Sequence, residues 1–254
     1  MYRSVYDLKS FYNSKIGRVV RRTLQGHVRD FWPDVSTMRV MGCGYASPYL
    51  RVFSEEAERI FGVMPAGQGA HHWPQTGDEK NLICLSEEAE LPFENSSIDR
   101  ILLVHSLEYA ELLQPNLQEI YRVLKANGRL LVIVPSRSGF WARADWSPFG
   151  QGTPYSVSQL CYYLRDNSFI HERTKEALFM PALRSGLLLK SAGVFERFGP
   201  YILPFAAGVH MVEASKQLFA GADKGSGSKV RVRGREFLPR PVPQGMNSFK
   251  NLKN

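Results

Sequence analysis

The N-terminal region carries a hydrophobic pattern with the three- and four-residue steps of an amphipathic helix. The pattern covers residues 7–31, with apolar side chains at Leu8, Phe11, Tyr12, Ile16, Val19, Val20, Leu24, Val28 and Phe31. Asp7 is a suitable N-cap residue, and Pro33 ends a helix. The basic residues between the apolar ones predict a solvent-exposed outer face. Phosphate binding by that face is the less favoured interpretation.

Short apolar runs and helical patterns alternate over the next hundred residues. Strands are predicted at residues 39–41, 59–63, 81–85, 98–105 and 129–134, and helices at 48–58 and 115–127. The second helix is the clearer one, because Pro115 suits its first turn and Gly128 suits its C′ position. Alternation of this kind predicts a mostly parallel sheet covered by helices.

The C-terminal half continues the α/β pattern. Residues 136–156 predict an irregular loop on the substrate side of the sheet. Further elements are predicted as helices at 158–167 and 183–192, the second ending at Gly193, and as strands at 169–178 and 208–215. The last strand could close the sheet as an antiparallel edge strand. The predicted organisation is one domain over residues 1–220, with the helix at 7–31, and a basic, disordered tail over 221–254.

Composition and charge narrow the function classes. Of the 254 residues, 44% are hydrophobic, which is enough for a sizeable core, and the three cysteines are typical of reduced thiols in a cytosol. The net charge is +8, but residues 221–254 hold eight basic and two acidic residues, so the preceding residues carry only about +2. The positive charge is therefore concentrated in the tail, and nucleic acid is a less favoured partner of the domain.

Membrane-spanning and secretory segments are not predicted. The longest purely apolar run, Leu130–Val134, is far shorter than the roughly 20 residues that cross a bilayer. The N-terminal residues lack the apolar stretch of a secretory signal. We expect a cytoplasmic protein.

A glycine-containing turn follows the first predicted strand. The segment is Gly42-Cys43-Gly44-Tyr45-Ala46, and a helix is predicted directly after it. Glycines permit a sharp turn and close approach of a ligand, and free amides at a helix start favour polar or anionic groups. A tight turn that binds nothing remains the alternative. The sequence holds no P-loop, dinucleotide fingerprint or G-x-S-x-G motif.

Residues 91–137 carry a resemblance to a known family. Leu91-Pro92-Phe93, Ile98-Asp99 and the segment from Leu117 to Leu130 resemble the motifs of class I S-adenosylmethionine-dependent methyltransferases, type 11 subgroup, with the glycine turn at the expected distance upstream. The resemblance implies a Rossmann-like methyltransferase fold, with a mostly parallel seven-stranded sheet sandwiched by helices and an antiparallel C-terminal edge strand. It also implies S-adenosylmethionine as cofactor and a small or apolar acceptor. The resemblance leaves open whether the chain also binds a protein partner.

The family's mode of cofactor binding implies the site residues. The glycine turn approaches the methionine part of the cofactor, the second strand ends at the ribose, a polar residue after the third strand reaches the adenine, and the fourth strand ends at the methyl-transfer site. Carried onto this sequence, the cofactor-binding residues are Gly42, Cys43, Gly44, Ala46, Met64, Glu87, Glu88, His105 and Ser106.

The sequence departs from the family pattern, most seriously at two places that bear on cofactor binding; Asn127 and Ala46 are milder departures. Met64 stands where the family has a ribose-binding acid, and the strand Arg39-Val40-Met41 lacks the usual acid before the first glycine. A thioether accepts hydrogen bonds weakly, and leaving buried hydroxyls unpaired costs about 1–3 kcal/mol. Two hypotheses follow: a methyltransferase, or a methyltransferase-fold protein without catalysis that acts as a binding or regulatory partner.

His105 is the candidate catalytic residue, because histidine titrates near neutral pH and could take a proton from an acceptor. A hydrogen-bonded structural histidine is the favoured alternative. Tyr109, Trp141 and Trp146 either line an acceptor pocket or cover the sheet. The adjacent histidines at 71 and 72 predict no metal site, since no cluster of ligands completes one.

The tail offers a third, weaker hypothesis. Its alternating basic residues over 229–235 could contact RNA phosphates without sequence preference, as an arm of an RNA methyltransferase. A solubilising tail is the favoured alternative.

Overall fold

A computed structural model describes residues 3–74, 80–183 and 189–216. The described residues form one seven-stranded sheet. Its strands are β1 (Arg39–Gly44), β2 (Arg59–Pro65), β3 (Ile83–Ser86), β4 (Ile98–Val104), β5 (Leu124–Pro135), β6 (Phe169–Ala177) and β7 (Val209–Lys216).

The strands lie in the order β3-β2-β1-β4-β5-β7-β6. The first five are parallel to their neighbours, whereas β7 pairs antiparallel with both β5 and β6. The predicted α/β class, mostly parallel sheet and antiparallel C-terminal strand are confirmed, and β7 lies one place in from the edge formed by β6. The sheet order reverses beside β1, and open α/β sheets bind ligands at the carboxyl ends of the strands flanking such a point.

Helices cover both faces of the sheet. They are α1 (Val5–Asn13), α2 (Lys15–Phe31), α3 (Ser47–Leu50), α4 (Leu113–Val123), α5 (Val157–Asp166) and α6 (Ala192–Ile202). Apolar residues of α1, α2 and α3 form one core layer with one face of the sheet, and those of α4 and α5 form the other layer. Alternate residues of each central strand therefore belong to opposite cores.

The predicted single helix at 7–31 is wrong, because the structure divides this segment at Ser14. The Ser14 hydroxyl donates to Phe11 O at 2.6 Å and accepts from Gly17 N at 3.1 Å, so the residue ends α1 and caps α2. A Cβ on Gly17 would lie 1.9 Å from Phe11 O, so glycine permits the close approach of the two helices. The N-cap of α1 is Ser4 rather than Asp7.

The helix predicted at 115–127 also ends early. Helix α4 stops at Val123, and β5 begins at once with Leu124, which pairs with Ile98. The left-handed backbone expected near Gly128 is found instead at Asn127, with φ of 64°. Asparagine adopts this region more readily than other non-glycine residues.

Two further predicted helices differ from the structure. The one at 48–58 is reduced to α3 and a single 3₁₀ turn, Arg51–Phe53. The one at 183–192 falls partly on residues 184–188, outside the described residues. Helix α6 begins at Ala192 and continues through Gly193, which was predicted to end a helix.

Backbone proximity divides the chain into Met1–Leu218 and Phe219–Asn254. The tail predicted over 221–254 lies outside the described residues, and its disorder remains a prediction. Among the residues that are described, no helix combines the length and apolar character needed to cross a membrane.

Acid should destabilise the fold through His210. This residue is buried in β7, and burial lowers its pKa to about 4 from the usual 6.5. The unfolded chain therefore takes up the proton at higher pH. The histidine's contribution to stability is complete above about pH 6.5 and is lost as the pH falls toward 4, by up to about 3 kcal/mol. Urea unfolding across this pH range measures the loss.

A His210→Leu variant tests the source of this pH dependence. Burial raises the pKa of the neighbouring Glu176, whose effect on stability has the opposite sign, so each variant is compared with wild type at every pH. We expect the unfolding free energy of His210→Leu to depend less on pH than that of wild type, because the contribution of the histidine is gone. The exposed His171 on β6 provides the control, His171→Leu. Equal slopes in wild type and His210→Leu would contradict the assignment.

Candidate functional site

The glycine turn closes the end of β1 against the end of β4. Gly44 has a φ of 73°, and a Cβ there would lie 2.3 Å from Val104 O. The next amide, Tyr45 N–H, donates to the same carbonyl at 2.7 Å. A Cβ on Gly42 would lie 2.6 Å from the Ala46 Cβ, so this glycine lets α3 approach the strand. Both glycines are thus required by contacts within the protein.

A narrow slot lies beside this turn, between the carboxyl ends of β1, β2 and β4 and the first turns of α4. Its walls are mostly apolar, formed by Cys43, Val63, Pro65, Leu91 and Ile120. Its accessible volume is about 10 Å³, which is room for about one water molecule.

Three polar side chains face the slot. The Ser106 hydroxyl donates to Glu88 Oε1 at 3.2 Å, which holds the carboxylate at the edge of the slot. The Asn116 amide nitrogen is buried and has no hydrogen-bond partner among the described residues. Burial, reinforced by the nearby Glu88, raises the pKa of the Cys43 thiol well above its usual range. The slot therefore offers a carboxylate, a hydroxyl and an unpaired amide donor between apolar walls.

A buried hydrogen-bond chain lies on the other side of the glycine turn. Tyr49 Oη donates to Tyr12 Oη at 2.8 Å, Tyr12 Oη bonds His105 Nε2 at 2.8 Å, and His105 Nδ1 bonds Glu108 Oε1 at 3.0 Å. All four side chains are buried. If the carboxylate accepts from Nδ1–H, then Nε2 accepts from Tyr12, and every donor in the chain points toward Glu108.

His105 is the centre of this buried chain. Its backbone has a φ of 52°, in the left-handed region, and its carbonyl accepts from Gln68 Nε2 at 3.4 Å. Tyr45 stacks on Tyr12, with ring centroids 5.4 Å apart, and Phe149 lies 4.9 Å from the imidazole. The ring is thus enclosed, and its position is fixed by groups from several parts of the chain.

Burial and the neighbouring Tyr49 raise the pKa of Tyr12 well above its usual range, so its phenol stays protonated at neutral pH. The second oxygen of Glu108, Oε2, is buried and has no hydrogen-bond partner among the described residues. The carboxylate therefore keeps acceptor capacity beyond its bond to His105.

An open groove of about 450 Å³ lies above the aromatic residues that enclose His105. Phe11, Ile16, Trp146 and Leu189 supply its apolar surface, and Arg3, Asp7 and Lys15 its charged surface. The rings of Phe11 and Phe149 are 6.2 Å apart, so two aromatic layers separate the groove from the imidazole.

The structure brings together some of the predicted site residues and separates others. Cys43, Gly44, Glu88 and Ser106 line the slot, and His105 lies just beyond Gly44. Met64 points to the opposite face of β2 and packs in the core beneath α1, α2 and α3, so it does not line the slot. Glu87 is exposed outside the slot.

Gly42 and Ala46 contact each other beneath α3 and do not line the slot either. We therefore leave Met64, Glu87, Gly42 and Ala46 out of the site proposed below.

Tyr12, Tyr49, Glu108 and Asn116 were not identified from the sequence. The one local signal is the spacing of His105 and Glu108, three residues apart, which lets a carboxylate reach the imidazole after a turn. Trp146 lines the groove, as one prediction had it, while Tyr109 and Trp141 are buried and donate to backbone carbonyls.

Comparison with known proteins gives a family match for part of the chain. Residues 40–132 match the type 11 family model described as "Methyltransferase domain". The match spans 93 of the 254 residues, and this part of the chain is similar to a methyltransferase domain. The matched segment of this domain contains the glycine turn, the slot and His105, and it ends within β5. Helix α1, which supplies Tyr12, lies outside it.

Solved structures support the same fold for the methyltransferase domain. A chain of the complex between the Haloferax volcanii Trm112 methyltransferase activator and a methyltransferase is 16% identical, with a TM-score of 0.61, over 86% of this chain and 100% of that one. An S-adenosylmethionine-dependent methyltransferase from Archaeoglobus fulgidus is 16% identical, with a TM-score of 0.57, over 82% and 97%. No curated protein matches the sequence significantly.

The side chains of the slot have the chemistry to bind the adenosine half of the family's cofactor, but the slot is too small to hold it. A carboxylate and a hydroxyl at the edge of an apolar slot suit an adenine and ribose, and the unpaired Asn116 amide is a free donor for the same ligand. Sites for ligands of that size occupy roughly 300 Å³ or more, whereas this slot is narrow. Its walls must separate before the ligand enters.

Proposed function

We propose that the chain is an S-adenosylmethionine-dependent methyltransferase acting on a small or apolar acceptor. The observation that carries this proposal is the slot within the methyltransferase domain, where Glu88, Ser106 and Asn116 face apolar walls. When bound, the cofactor supplies an electrophilic methyl group carried by a sulfonium.

In this proposal the slot residues hold the adenosine. The Glu88 carboxylate accepts hydrogen bonds from hydroxyl or amino groups, as the family's ribose-binding acid does from a different strand. The Asn116 amide gains the partner that it lacks within the described chain, which removes the cost of a buried unsatisfied donor. Apolar walls exclude water from the adenine ring.

His105 is proposed as the group that takes a proton from the acceptor. Glu108 orients the imidazole through Nδ1. Nε2 can then accept a proton from the acceptor once its hydrogen bond with Tyr12 is broken. The acceptor would enter by the groove between α1 and Trp146, whose volume of about 450 Å³ suits a small molecule. Phe11 and Tyr12, both on α1, must then move together.

A second candidate function is a methyltransferase fold without catalysis, acting as a binding or regulatory partner. The narrow slot and the closed chain from Tyr49 to Glu108 favour it, because both fill the family's cofactor region with the protein's own atoms. A protein partner belongs to this candidate. One relative of the fold was solved in complex with a methyltransferase activator.

Calorimetric titration with S-adenosylhomocysteine distinguishes the candidates. We expect wild type to bind, and Glu88→Gln to bind about tenfold more weakly because an amide replaces a charged acceptor. Glu87→Gln is the matched control, since this exposed neighbour lies outside the slot and its variant should bind as wild type does.

Two results would contradict the proposal. Folded wild-type protein that releases no heat at millimolar ligand would favour the second candidate. Equal weakening by Glu87→Gln and Glu88→Gln would show that a nonspecific charge effect, not the slot, governs binding.

A further inference from the structure

Helix α6 exposes an apolar face to solvent. Val194, Phe198, Tyr201 and Ile202 follow one another at helical steps on this face. Leu203 and Phe205, in the turn after the helix, extend the same surface. Tyr201 is 85% exposed and Phe205 is 82% exposed, an unusual degree for large aromatic side chains close together. We call these six residues the α6 face.

The opposite side of α6 is anchored to the domain by its one acidic residue. Glu196 Oε1 accepts from the Leu178 amide at 2.7 Å, and Oε2 accepts from the Phe179 amide at 3.0 Å. Gly199 packs against the Phe179 ring, where a Cβ would lie 2.3 Å from the Phe179 Cβ. The helix therefore turns its carboxylate inward and its apolar side chains outward, the reverse of an ordinary surface helix.

Basic residues flank the α6 face. The Glu196 carboxylate contacts His27 of α2 at 3.3 Å. Exposed cations stand next to and within α6, at Lys190 and Arg197, and the Arg197 guanidinium lies 5.7 Å from the Phe198 ring of the α6 face.

The acidic residues of α2 and α6 do not offset this charge. Among the described residues 189–206 the single carboxylate is Glu196, which is turned inward. Asp30, at the end of α2, pairs with Lys175 at 2.8 Å. The surface is thus an apolar helix face flanked by two exposed cations, Lys190 and Arg197.

We propose that the α6 face binds the surface of an anionic lipid bilayer, with α6 lying in the interface rather than crossing it. Aromatic and aliphatic side chains on one side of a helix enter the headgroup region, and flanking cations are attracted to acidic lipids. A second copy of the chain is a poorer occupant, because it would bring the cations beside two α6 faces toward each other, with no exposed carboxylate on either helix to pair with them.

Vesicle co-sedimentation of the full chain tests the proposal. We expect binding to vesicles of phosphatidylcholine containing roughly one third phosphatidylglycerol, and much weaker binding to phosphatidylcholine alone. The double variant Tyr201→Ser/Phe205→Ser should lower the partition coefficient about tenfold or more, since two buried aromatic rings are lost. Tyr162→Ser is the matched control, because Tyr162 is 63% exposed on α5, which packs on the other face of the sheet.

The flanking charge and the rival occupant are tested in the same preparation. Lys190→Gln/Arg197→Gln should weaken binding to anionic vesicles and reduce its salt dependence. Equal binding by wild type and Tyr201→Ser/Phe205→Ser would overturn the proposal. The proposal would also be overturned if wild type did not bind vesicles and light scattering showed a wild-type dimer that Tyr201→Ser/Phe205→Ser dissociates. None of these outcomes depends on S-adenosylmethionine binding, so the proposed function is tested separately.

Discussion

Replacing Gly44 with alanine should lower the free energy of unfolding by about 3–5 kcal/mol. The residue has a φ of 73°, where an L side chain is strained, and the new Cβ would lie 2.3 Å from Val104 O and 2.7 Å from His105 O. The ends of β1 and β4 would have to separate, which breaks the hydrogen bond from Tyr45 N–H. Urea unfolding at neutral pH measures the loss.

Gly26→Ala is the matched control for that substitution. Gly26 lies inside α2, and a Cβ there would meet no atom within 4 Å. Alanine should stabilise this helix by about 0.5–1 kcal/mol. A Gly44→Ala variant as stable as wild type would contradict the close approach of β1 and β4 at this residue.

The second large effect is expected at His105. Its replacement by leucine leaves the buried Glu108 carboxylate and the Tyr12 hydroxyl without their partner, and should cost about 3–5 kcal/mol. Removing Glu108 as well should restore part of this loss, because the unpaired charge is then gone. His105→Leu, Glu108→Leu and the double variant form the cycle, with unfolding free energy as the readout.

Strictly additive costs in that cycle would contradict a coupled pair. His171→Leu serves as the control for loss of an imidazole, since this exposed side chain bonds only locally with Thr174. Its effect on stability should be within about 0.5 kcal/mol.

The sheet could be predicted because its central strands are buried on both faces. The apolar run at 98–105 is typical of a central parallel strand, and β4 indeed lies between β1 and β5. The helix ends were harder, because they depend on contacts that periodicity does not encode. Ser14 divides the N-terminal helix through two local hydrogen bonds, within an apolar pattern that continues unbroken across it.

The candidate site was only partly predictable. Glu88, Cys43 and Ser106 could be located from the family pattern, since each follows or ends a strand at the carboxyl edge of the sheet. Tyr12 could not, because it meets His105 across 93 residues of sequence and contributes from a helix outside the family match. Its apolar neighbours predicted a core position, and its hydroxyl gave no sign of a distant partner.

The glycine turn is open to two physical explanations. From the sequence, Gly42 and Gly44 indicate close approach of a ligand, and in the structure each is also required by a contact of its own, with Ala46 and with Val104 O. The turn by itself therefore carries little weight for cofactor binding. The case for cofactor binding depends on the polar groups of the slot and on whether the walls of the slot separate.

A crystal structure of the wild-type chain, from crystals grown with saturating S-adenosylhomocysteine, tests most directly whether the slot opens to bind adenosine. We expect adenosine density between Val63 and Ile120, with Glu88 and Asn116 in hydrogen-bond contact and the slot widened well beyond its present 10 Å³. A slot of unchanged width, with Tyr12 still bonded to His105 and no density beside Glu88, would contradict it.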